Sequence, residues 1–140
     1  MRTDQTATPL LEKYNLTSEI EEYLHELSYL SERKYANTNM DDRQAWVNAY
    51  WEKMDYQYKD ADDAESFEDL YMRVQSFHEK LKVLTETYAQ KNLAVFSHGQ
   101  FLQLLMMQIQ QSQPISKDLI QQFRYNLVYQ PIRNTQVFTY

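Results

Sequence analysis

Cysteine is missing from this 140-residue chain, which excludes a disulfide, a thiolate metal site and a cysteine nucleophile. Glycine occurs once, at Gly99, and proline three times, so turns made by those residues are few. Cationic side chains are scarce: 14 Lys and Arg stand against 20 Asp and Glu, a formal net charge of -6. That balance argues against nucleic acid or an anionic membrane as a partner, and the twelve tyrosines have no basic stripe beside them to follow phosphates. No apolar run is long enough to span a bilayer, and the first residues are polar, unlike a signal peptide. A cytoplasmic protein is expected. What remains is a chain that is 43% apolar and 14% aromatic with a mean hydropathy of -0.73, enough for one core and a single domain over residues 1–140.

The most informative stretch is Asn92 to Ile109. Leu93 to Phe96 form a short apolar run that reads as a buried strand, and Gln100 onward is apolar almost all round, as in a buried helix. Ser97-His98-Gly99 lies between them. The only glycine of the chain, at a strand-to-helix turn, suggests a need for backbone freedom. This places the His98 imidazole beside the open amides of a helix N-terminus, where anions are favoured.

Elsewhere, residues 3–14 read as a helix interrupted by Pro9, and Ile20 to Leu24 as a short strand. A polar loop follows as far as Asp41. Helices are predicted over 42–54 and from Ser66 to about Gln90. Ser66 and Asp69 have capping-box spacing, and Phe67, Leu70, Val74, Phe77 and Leu81 recur at helical spacing. An acidic loop over 56–64 separates these two helices. A further helix is expected over 116–125 and a strand over 132–140. Helices alternating with a few short strands imply a layered α/β domain.

Several pieces, in order along the chain, resemble the histidine phosphatase superfamily, also called phosphoglycerate mutase-like. They are Arg2-Thr3-Asp4-Gln5-Thr6-Ala7, Leu24-His25-Glu26, Ala64-Glu65-Ser66-Phe67 with Arg73-Val74, Val95-Phe96-Ser97-His98-Gly99-Gln100, and Ile132-Arg133-Asn134-Thr135. Tyr50-Trp51 and Asp55-Tyr56-Gln57-Tyr58 look like one branch of that family. The resemblance implies an α/β three-layer sandwich, a small and mostly parallel sheet flanked by helices. It also implies hydrolysis of a small phosphorylated substrate through a phosphohistidine, with hydrolase favoured over mutase. Glu26 would be the proton donor, with Glu32 as a rival, and His98 would sit beside the phosphate. Arg2, His98 and Gly99 would bind phosphate oxygens. No metal or cofactor is implied. Glu65-Ser66-Phe67 reads as helix capping, and His25 and His78 have no supporting context.

The sequence departs from the family in one respect: it contains no Arg-His-Gly, the motif that carries the nucleophile. The expectation is a C-terminal portion truncated at the N-terminus, with Met1 internal to a longer protein, and inactive alone. Without the first strand of the family, the strand at Leu93–Phe96 would leave an unpaired sheet edge, so that the chain is expected to be marginally stable, to self-associate through that edge, or to need the missing segment from elsewhere. The alternative is a non-catalytic module binding a phosphorylated ligand or a protein.

Overall fold

The computed structural model describes residues 2–35 and 37–140, with the Arg2 side chain outside that description. Among the described residues there are six α-helices: α1 (Arg2–Tyr14), α2 (Glu32–Tyr35), α3 (Met40–Glu52), α4 (Phe67–Thr87), α5 (Gly99–Gln110) and α6 (Lys117–Tyr129). A single 3-10 turn covers Glu22–Leu24. Among the described residues there is no strand, so the expected α/β sandwich is overturned. The reason is physical. A helix satisfies its own backbone, whereas a strand exists only by pairing with another. Among the described residues the three apolar runs find no strand partner, and each leaves a large side chain in solvent, with Leu93 48% exposed, Ile20 66% and Val137 86%, while Tyr23 and Leu24 pack against the core from a 3-10 turn instead. The predicted self-association through a sheet edge therefore has no sheet to act from among the described residues.

The helices follow their sequence signals closely. At the start of α4, the Ser66 side chain accepts from the Asp69 amide while Asp69 accepts from the Ser66 amide, completing the capping box. Asn39 and Asp42 make the same arrangement on α3, starting it two residues earlier than the sequence suggests. Pro9 lies inside α1 without ending it. That helix stops at Asn15, whose φ of 51° turns the chain while the Leu16 amide donates to the Leu11 carbonyl at 2.9 Å.

The core is built by α4, α5 and α6. Phe67, Phe101 and Phe123, one from each, are wholly buried. The Phe67 and Phe123 rings lie 5.1 Å apart, and Phe77 and Phe101 6.0 Å apart. Leu70, Val74, Leu104, Leu119 and Ile120 fill the space between them. Tyr50 and Trp51 close one end from α3, the Trp51 ring lying 5.9 Å from Phe123. Two loop residues, Leu27 and Leu30, insert into the same core and tie down the chain that carries Glu26. In contrast, none of the described α1 side chains belongs to the core, and only Ala7 is buried there.

The acidic loop is anchored by specific partners. Asp60 accepts from the Ser31 amide at 3.0 Å and from the Lys34 ammonium at 2.5 Å, and Asp63 accepts from the Ser31 hydroxyl at 3.0 Å. Burial pushes the Asp60 carboxyl up, but the Lys34 ammonium and the Ser31 amide outweigh it and hold it below its usual value. A lowered folded value means that this carboxylate stabilises the fold above its unfolded titration point. The contribution is lost as pH falls through the folded one. Asp60→Asn is therefore expected to flatten the acid limb of stability, measured by thermal denaturation from roughly pH 6 to pH 2.

Candidate functional site

Glu26 and the start of α5 meet across 74 positions of sequence. The Glu26 carboxylate accepts the Gln100 amide, at 3.1 Å to Oε1 and 3.3 Å to Oε2, and Oε1 also accepts the Leu27 amide at 3.1 Å. The first amides of a helix have no intrahelical acceptor, and the dipole favours negative charge there. Glu26 thus fills the place where an anion would sit. Ser97 secures the approach by donating its hydroxyl to the Leu24 carbonyl at 2.7 Å.

His98 is the N-cap of α5, with extended backbone (φ -114°, ψ 159°), and its ring makes no capping hydrogen bond. The imidazole is partly exposed and is the N-cap residue immediately before the helix turn that holds the Glu26 carboxylate. Gly99 does not have a positive φ, contrary to the need for backbone freedom read from sequence. A Cβ built there would meet only Glu26 Oε2, at 4.0 Å, an ordinary contact. Arg2 begins α1, but its side chain lies outside the described residues, so the phosphate role expected of it has no geometry here.

The segment that carries Glu26 is held by groups that sequence reading did not assign to the site. Glu65, ahead of α4, forms two parallel bonds with Arg73 on that helix, Nε to Oε1 and Nη2 to Oε2, both 3.0 Å. Arg73 Nη1 also donates to the Tyr23 carbonyl at 2.6 Å and to the His25 carbonyl at 3.1 Å. Glu65 Oε2 accepts the Ser28 amide at 3.1 Å, and the Glu65 amide returns a bond to the Ser28 carbonyl at 2.8 Å. The Arg73 guanidinium stacks over Phe101, 5.5 Å from its centroid. In the sequence Glu65 and Arg73 stand only among the motif pieces of the family, with Glu65 read as part of a helix cap. The targets of Arg73 are backbone carbonyls, which leave no mark in side-chain identity. Lys80 and Glu21 pair just beyond, on the same side.

Tyr29 lies near this segment. Burial pushes its hydroxyl up, and the fields of Arg124 and Glu26 both reach it. Arg124 itself stacks on Trp51 at 5.3 Å. One surface cleft is lined by Tyr29, Tyr35 and Arg43, and another, beside the Glu26 segment, by Tyr23, Arg73 and Lys80. Among the described residues no three His, Asp or Glu side chains converge as a metal would need, and no helix is long and apolar enough to cross a membrane.

Comparison with known proteins completes the assignment. The family model of the histidine phosphatase superfamily (branch 1) matches residues 1–128. The chain belongs to that superfamily. No curated protein and no solved structure matches it.

Proposed function

We propose that this chain carries part of a phosphate-monoester hydrolase site working through a phosphohistidine, with His98 beside the phosphate and Glu26 as proton donor to the leaving alcohol. One observation carries the reading: the Glu26 carboxylate and the His98-Gly99-Gln100 turn share a hydrogen bond although they are far apart in sequence. Phosphoryl transfer is driven mainly by positioning and by donors around the phosphate oxygens. An imidazole and helix amides are such donors, and a carboxylic acid can protonate a leaving oxygen. These 140 residues contain no Arg-His-Gly, so they are expected not to turn over a phosphomonoester unaided.

The test uses inorganic phosphate as the probe, titrated into the wild-type chain and into His98→Ala. A hydrogen bond to a charged group contributes about 1.5–3 kcal/mol, so the variant should bind roughly tenfold to hundredfold more weakly. Equal affinities would remove the phosphate role of His98. Joining a segment that carries Arg-His-Gly should then give turnover of a generic phosphomonoester. A folded but inert product counts against the hydrolase.

A second reading rests on the exposure of Leu93 and Val95, at 48% and 37%. A non-catalytic module could use this apolar run to bind a protein partner or a second copy of itself, and a cysteine-free sequence suits a cytoplasmic setting. Sedimentation that is independent of concentration would exclude self-association.

A further inference from the structure

We propose that Arg73, Glu65 and His25 act as a clamp that sets where the Glu26 carboxylate lies, making them positioning residues for the proton donor. This rests on the reading of Glu26 given above.

The backbone from Tyr23 to Ser28 carries Glu26. Beyond its 3-10 turn this stretch has neither helix nor ladder, so something else must fix it. Three successive carbonyls are taken by side chains from distant segments. Arg73 binds those of Tyr23 and His25, and Ser97 binds that of Leu24 between them. At the far end, Glu65 exchanges bonds with both backbone groups of Ser28. Glu26 is thus bracketed on both sides by one ion pair. That pair is largely sheltered from solvent, with Arg73 14% and Glu65 19% exposed at the side chain. A buried ion pair gives little net stability against its desolvation cost, but its fork geometry fixes direction. Placement, rather than stability, is what this one supplies.

His25 adds a third member. Its Nδ1 lies 2.7 Å from the Glu22 carbonyl, and its Nε2 lies 3.2 Å from Glu65 Oε1. Both partners are acceptors only, so both contacts are hydrogen bonds only when each ring nitrogen carries a proton. Of the charged side chains, Glu65 faces this ring directly and Arg73 shares that carboxylate, both from the α4 side, while Glu22 offers its backbone carbonyl. Losing the proton at Nε2 would leave a lone pair facing the Glu65 carboxylate and loosen the Ser28 end of the bracket.

The test follows backbone amides by NMR in the full chain as pH is varied, with no phosphate present. In the wild type, the Gln100 amide should show an inflection from Glu26, assigned by its disappearance in Glu26→Gln. The inflection should be lost or strongly reduced in Arg73→Ala and in Glu65→Gln while amides late in α5 keep their shifts. Arg73→Lys retains the charge but cannot span two carbonyls and a carboxylate. It should lose the inflection too, and it decides the matter if Arg73→Ala does not fold. An undiminished Gln100 inflection in Arg73→Lys overturns the clamp. The Ser28 amide should move in His25→Gln relative to the wild type at neutral pH, and an unchanged Ser28 amide removes His25 from the proposal. Failure of phosphate to bind at His98 would defeat the hydrolase reading while leaving these results intact, so the two are separable.

Discussion

Replacing Phe101 by alanine is expected to cost about 3–5 kcal/mol of folding stability, read as a lower denaturation midpoint in urea. Phe101 is wholly buried on the first turn of α5, against Phe77 on one side and beneath the Arg73 guanidinium. No rearrangement within a helix can fill the volume of a ring, so the lost transfer energy and the cavity add together. Against a total of about 5–15 kcal/mol, this is a large fraction. The change also removes the surface on which Arg73 rests. Phe101→Leu, a milder cut, should stay folded and still weaken the Glu26–Gln100 contact, seen at the Gln100 amide. A loss below about 1 kcal/mol in Phe101→Ala, typical of an exposed position, would mean that α5 is not central to the core.

A second large effect is expected at Glu26. Its carboxylate holds the amide at the α5 N-terminus that a bound anion would want, and it would repel a phosphate placed beside His98. Glu26→Gln keeps the shape and removes the charge. Charge at a helix N-terminus contributes about 0.3–2 kcal/mol, so inorganic phosphate should bind about two- to thirtyfold more tightly to the variant. Calorimetry on the two proteins measures it directly. In a chain joined to a segment that carries Arg-His-Gly, the same substitution should slow turnover, because a carboxamide cannot give up a proton to the leaving alcohol. Tighter binding with slower turnover is the signature of a proton donor that shares its place with the phosphate. Weaker phosphate binding in Glu26→Gln would show instead that the carboxylate orients the site and does not compete for it.

How much of this could be read from the sequence depends on whether each signal is local. Ser66 with Asp69, and the apolar spacing from Phe67 to Leu81, specify α4 almost unaided because helix bonds close within a few residues. The same holds for α5 and its boundary at His98, and for α6, which runs four residues further than the spacing predicts, to Tyr129. The strands could not be settled in this way. Leu93 to Phe96 has the composition of a strand, but composition names no partner, and the described residues offer none. Glu26 and His98 were named as site residues from the family's motif order, and the Gln100 bond brings their segments together. Arg73 and Glu65 were quoted as motif residues and given no site role, since what Arg73 grips is the carbonyls of Tyr23 and His25. Gly99 shows the reverse error: a solitary glycine invited a conformational argument, and its backbone is one that other residues adopt.

The central claim is that the Glu26 carboxylate is held at the start of α5, next to His98. A scalar coupling transmitted through the hydrogen bond, from the Gln100 amide nitrogen to the Glu26 carboxyl carbon, measures that contact and nothing else. The account predicts a resolved cross-peak at neutral pH, absent in Glu26→Gln. No coupling in the folded wild type, with the Glu26 carboxyl carbon behaving as a freely solvated side chain, would contradict it.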